Sequence, residues 1–148
     1  MKKIMTKILL AVLPVLAVVL ATTGDSVKII NRTTGEIAAA SYFELLPEGT
    51  LQMAPHLAGI CAAVTVLLIV VFLVNKNQKM LKGAKWCSFT GALFAVLPMF
   101  VKEGETLMLP NVGVPLFLMI EFFVCSMAEK MDLRSDKELN GPRLERHI

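Results

Sequence analysis

The chain has 148 residues, 55% of them hydrophobic and 18% charged, with a net charge of +3 and a mean hydropathy of +0.66. A soluble domain of this size carries about 25% charged residues, so the composition argues against a water-solvated fold, and the length suits a single domain over residues 1–148. The positive balance does not point to nucleic acid, because the lysines stand at the ends of apolar blocks and not on a basic face interleaved with aromatic rings.

The first apolar block covers residues 4–22, broken only by Lys7. A hydrocarbon core of ~30 Å requires a helix of about 20 residues, so the block reads as a first transmembrane helix. Pro14 can kink such a helix where neighbours satisfy the freed carbonyl. The Met1, Lys2, Lys3 start also fits a cleavable signal peptide. Ala21, Thr22 and Thr23 supply small residues there but no clear A-x-A site. Both readings stand at this point.

The outer loop, residues 23–54, holds two strand-like runs within 26–43, separated by Arg32, Thr33, Thr34 and Gly35. A hairpin is expected, followed by a turn over residues 45–50. A lone hairpin is marginal in water, so it should pack on the outer ends of the helices, and residues 107–109 offer it an additional edge. Asn31-Arg32-Thr33 is a glycosylation sequon that matters only in a eukaryotic secretory pathway.

The second block, residues 55–74, contains no charge and is the clearest span. The third helix is expected over 84–101, with Trp86 as an interfacial anchor and the stems of Lys82, Lys85 and Lys102 extending its reach. The fourth is expected over 108–128, interrupted by Glu121. A charged tail, 129–148, should continue that helix until Gly141 and Pro142 end it.

Orientation follows from the basic residues. Lys2, Lys3 and Lys7 precede the first helix, Lys76, Lys79, Lys82 and Lys85 lie between the second and third, and Lys130, Arg134, Lys137, Arg143 and Arg146 follow the fourth. The remaining segments hold only Lys28, Arg32 and Lys102. Four crossings with both termini in the cytoplasm put every lysine-rich segment on one side of the cell membrane. The expected fold is an all-α integral membrane protein, a four-transmembrane-helix bundle with a small extracytoplasmic β-hairpin between helices 1 and 2. The short lysine-rich start has a bacterial character.

Glu121 is the residue that should cost the protein something, roughly 2.5 to 3.5 kcal/mol at the centre of a membrane helix. Helical spacing puts Phe117, Leu118, Cys125 and Ala128 on its face, and that face should turn inward. Ser88 and Thr90 on the third helix and Lys7 on the first are candidate partners by depth. One reading makes Glu121 a hydrogen-bonded or Lys7-paired tie between helices; the other makes it a proton-carrying or cation-binding group. Cys87, Gly91 and Ala95, and likewise Ala58, Ala62 and Thr65, form small-residue faces that allow close helix approach within a bundle or between copies.

The three cysteines, Cys61, Cys87 and Cys125, show no C-x-x-C spacing, so neither a disulfide framework nor a zinc site is implied. His56 at the mouth of the second helix reads as a polar anchor. No nucleophile elbow, phosphate loop, dinucleotide fingerprint or paired carboxylates occur. Catalytic residues, cofactors and metal ligands are therefore not expected. The order of helix, outer hairpin and three helices is similar to the tetraspan layout of claudin-like proteins. Their first outer loop carries a Trp and two Cys that this loop lacks, so no function or residue follows. The expected role is a non-enzymatic interaction, accessory or oligomeric scaffold protein whose partners are the lipid bilayer, a second copy or another membrane protein. The alternative is a transporter or channel subunit that uses Glu121.

Overall fold

A computed structural model describes residues 2–44, 53–100 and 106–139. The protein is mostly helical, with helices α1 (Lys2–Thr22), α2 (Met53–Asn75), α3 (Gln78–Phe100) and α4 (Gly113–Leu139) and strands β1 (Val27–Asn31), β2 (Ile37–Ala40) and β3 (Thr106–Pro110). Two helical segments, Ile4–Thr22 and Met53–Asn75, are long and apolar enough to cross a membrane. The expected turn at 45–50, Lys102 and the Gly141-Pro142 stop lie outside the described residues.

Hydrogen-bond chemistry fixes the helix boundaries. At the end of α1 the Thr22 hydroxyl donates to the Val19 carbonyl at 2.8 Å and the Thr23 hydroxyl to the Leu20 carbonyl at 2.7 Å, so side chains take up orphan acceptors of the last turn. Between α2 and α3 only Lys76 and Asn77 remain non-helical; Lys76 turns the chain with a φ of 51°. The Asn77 side-chain oxygen then accepts from the Lys79 amide at 3.0 Å, an N-cap for α3. The third helix consequently starts at Gln78, ahead of the expected residue 84. Lys79, Lys82 and Lys85 stand on it and not in a link. At 23 residues it is ~34 Å long, but its first turns carry the lysines, and it is not one of the two segments apolar enough to cross a membrane.

The fourth helix also differs from expectation. Residues 108–110 belong to β3, and the Asn111 side chain caps the Gly113 amide at 2.8 Å. Their apolar side chains suit a strand as well as a helix, and Pro110 followed by a capping asparagine starts the helix later.

The sheet is antiparallel in the order β2-β1-β3, with Ile29 opposite Ala38 on one side and Met108 on the other. The hairpin turn lies where expected. The Asn31 side chain accepts from the amides of Thr33 (2.9 Å) and Thr34 (3.3 Å), and Gly35 adopts a φ of 72° that residues with a Cβ rarely tolerate. The sheet is tied to the helix ends by the Asn111 amide on the Ser26 carbonyl (2.7 Å) and the Tyr42 amide on the Ala21 carbonyl (3.0 Å).

The helices pack α1 on α2, α2 on α3, α3 on α4 and α4 back on α1. Contacts Gly91–Cys61 and Gly83–Leu68 make α2 and α3 antiparallel; Gly91–Leu118 and Lys85–Glu129 do the same for α3 and α4. Two apolar clusters fill the interior. One joins Val27, Tyr42 and Met108 of the sheet end to Ala17, Ala21, Ala58, Ala62, Ala92, Ala95, Val114 and Leu118. The other, toward the opposite end, contains Leu10, Leu13, Ile69, Phe72, Leu81, Ala84, Val124, Cys125 and Ala128. Alanine dominates the first because the backbones approach closely there.

Candidate functional site

Where the two clusters meet, each helix supplies an exceptional residue. On α4, Glu121 lies between Leu118 of one cluster and Cys125 of the other. On α3, Ser88 lies between Ala92 and Ala84; on α2, Thr65 lies between Ala62 and Ile69. Glu121, Ser88 and Thr65 are each 0% exposed. On α1 the corresponding position is the fully buried Pro14, whose ring nitrogen cannot donate to the Leu10 carbonyl. A polar layer thus crosses the interior about halfway along the helices.

The hydroxyls in this layer are satisfied locally. Thr65 donates to the Cys61 carbonyl at 2.8 Å, and Ser88 to the Ala84 carbonyl at 2.9 Å; a long 3.5 Å contact from Ser88 to the Thr65 oxygen links the two helices. Serine and threonine at mid-helix commonly return to the i−4 carbonyl in this way. The Cys87 thiol donates to the Cys61 carbonyl at 3.4 Å, a further tie between α2 and α3.

Glu121 is different. Its Oε1 accepts from the Cys125 thiol at 3.5 Å, one turn along the same helix, and its Oε2 is buried without a partner. Most buried side-chain polar atoms have a partner. A thiol is a weak donor, so this carboxyl is poorly compensated. The other unpartnered buried polar atoms among the described residues are the Tyr42 hydroxyl and His56 Nδ1. Tyr42 is fully buried under the sheet, and that burial pushes its phenol upward.

Of the residues expected around Glu121, Ser88 shares its layer, whereas Lys7 and Thr90 do not. Lys7 is exposed, and on α1 it precedes Pro14, the residue level with the layer, by about two turns. Thr90 is exposed and donates to the Trp86 carbonyl at 2.9 Å. It follows Ser88 by two residues, about 200° around a helix, so the two cannot share a face. Thr65 and the Cys125 thiol complete the layer instead.

The chain matches no family model, no curated protein and no solved structure.

A second cluster closes the α3–α4 seam beyond the layer. Lys85 donates to Glu129 at 2.7 Å, with Lys82 at 3.7 Å from the same carboxylate. The hydrogen bond from Lys85 holds the Glu129 carboxyl below the usual carboxylate range. A depressed folded-state value means that the pair contributes stability above the carboxyl's unfolded value, and that this is lost as pH falls through the folded one. Glu129→Ala is therefore expected to lower thermal stability at neutral pH by no more than about 1 kcal/mol, since the pair is partly solvated. Melting in detergent at acidic pH, where the carboxyl is protonated, should show no difference between variant and native protein.

Proposed function

We propose that the chain is a four-span membrane protein, with both termini in the cytoplasm and the sheet outside, that works by association and not by catalysis. What supports the spanning reading is the outward face of the helices. Leu67 (65% exposed), Val70 (52%), Leu93 (55%), Leu116 (53%) and Phe123 (58%) point away from the interior on three helices, alongside Ile8 and Val19 on α1. Scattered apolar residues on a soluble surface are ordinary, but a belt of them around every helix is suited to lipid. Helices α3 and α4 carry more charge than α1 and α2. Those charges gather at one end, apart from Glu121, which is turned inward.

The scaffold role is supported by the state of the polar layer. Its hydroxyls are closed onto their own helices, and Glu121 meets a thiol instead of a second acid, a histidine or a lysine, so among the described residues no relay of titratable groups runs along the interior. Association with a second copy or with another membrane protein is the remaining task for which the chain has surfaces: small residues, lipid-facing helices and an outer sheet. Crosslinking in membranes followed by native mass spectrometry of the detergent-solubilised protein should find a defined complex. Only monomer at every detergent tested would contradict the reading.

A second reading, a transporter or channel subunit, is favoured by the unpartnered Oε2 of Glu121, an acceptor free to receive a proton or cation. It requires flux in reconstituted vesicles that Glu121→Ala abolishes.

A further inference from the structure

The α3–α4 seam carries a surface that the association reading does not use. Trp86, 60% exposed, meets the Phe89 ring edge-on at 6.1 Å and the Phe122 ring at 6.5 Å. Phe89 and Phe122 lie 5.3 Å apart, and Phe122 meets Phe123 at 5.5 Å. The rings form one continuous apolar surface across both helices. One turn beyond it stands a cluster of cations. Lys85 is committed to Glu129 at 2.7 Å and also lies 5.9 Å from the centre of the Trp86 ring. Lys82, with a side chain 59% exposed, reaches the already paired Glu129 only at 3.7 Å. Lys76, Lys79 and Lys130 are exposed and form no ion pair among the described residues. Lys79, Lys82 and Trp86 follow at spacings of three and four, which puts them on one helix face.

We infer that this seam binds an anionic phospholipid, its phosphate held by Lys79 and Lys82 and an acyl chain lying along Trp86, Phe89 and Phe123. The inference rests on the spanning reading and adds a ligand class to it. Charge complementarity selects the lipid. Among the described side chains one carboxylate is set against five lysines, so this local excess of positive charge favours a headgroup with net negative charge over a zwitterionic one, whose own cation already screens its phosphate. The aromatic surface begins where the cations end, which is the order of headgroup and tail in a lipid. Lys85 contributes by orientation: bonded to Glu129 and set beside the indole, it fixes Trp86 against the seam.

Trp86 is the only tryptophan in the chain, so its emission reports from the site itself. The full-length protein is reconstituted into phosphatidylcholine vesicles containing a minor fraction of either dibrominated phosphatidylglycerol or dibrominated phosphatidylcholine, since bromine quenches indole on contact. Brominated phosphatidylglycerol should quench beyond its mole fraction, with a relative affinity of about fivefold for one effective lysine. In the double variant Lys79→Gln, Lys82→Gln, both exposed positions where folding is not at stake, the two lipids should quench equally. Equal quenching in the native protein, or a preference that survives in the variant, would overturn the lipid assignment while leaving Trp86 in the bilayer. No quenching by either lipid would overturn it together with the spanning reading.

Discussion

Gly91→Ala is expected to cost about 1 to 3 kcal/mol, the usual penalty of one methyl too many in a packed interior, and Gly91→Leu to abolish the folded state. A Cβ at Gly91 would stand 2.8 Å from the Cβ of Cys61, 3.2 Å from Leu118 Cδ1 and 3.6 Å from the Ala58 carbonyl oxygen. A Cβ is fixed to its backbone, so the clash with Cys61 is relieved only if α2 moves away from α3. That movement would loosen the Cys87–Cys61 and Ser88–Thr65 ties and open the layer around Glu121. The second-site test is specific. Cys61→Ala keeps the offending carbon and should not rescue Gly91→Ala. Cys61→Gly removes it and should restore stability, less the ~1 kcal/mol that glycine costs in a helix. Gly59 supplies the contrast: a Cβ there would meet the Phe43 ring at 2.8 Å, but that side chain is 42% exposed and can swing aside. Gly59→Ala should be tolerated. Thermal unfolding in a mild detergent, followed by Trp86 emission, ranks all of these variants.

Glu121→Leu is expected to stabilise the protein by on the order of 1 to 3 kcal/mol. The carboxyl is fully buried, and among the described residues Oε2 has no hydrogen-bond partner and Oε1 has only a thiol at 3.5 Å, so an apolar side chain of similar size loses little and removes a desolvated polar group. Glu121→Gln keeps a polar group at the same place and should leave both stability and assembly close to native. Glu121→Lys should be severely destabilising, because a longer cation would be enclosed with no carboxylate in the layer. A loss of stability in Glu121→Leu would show that the carboxyl holds something in the working protein, an ion or a partner, and would favour the transport reading. A protein that gains stability from the change yet still performs its task has Glu121 as a residue of neither structure nor function.

The helices were legible because they carry long apolar runs, and the hairpin because Asn31 and Gly35 bracket a turn with a known backbone requirement. Helix starts were less legible. Hydropathy alone missed the lysine-bearing first turns of α3 and carried α4 back into β3, although Asn77 and Asn111 were present in the sequence as capping residues. The polar layer was half visible. Glu121 stands out by charge, and Ser88 by depth. Thr65 was hidden in a small-residue stripe because its hydroxyl bonds to its own helix. Lys7 matches Glu121 only by approximate depth, and Thr90 conflicts with helical geometry, since it and Ser88 point to opposite sides. Rotation of each helix about its axis depends on which small residues meet, and contacts such as Gly91 on Cys61 cannot be read from one strand of sequence.

The most direct measurement is cysteine labelling in intact cells, in a background where Cys61, Cys87 and Cys125 are replaced by alanine. Thr34→Cys in the hairpin turn should react with a membrane-impermeant maleimide added from outside, while Asn77→Cys between α2 and α3 should react only once the membrane is opened. If both sites label equally in intact cells, or neither does until the cells are opened, α2 does not separate two compartments. The proposal that these helices are solvated by lipid, with the sheet and the lysines on opposite sides, would then be wrong.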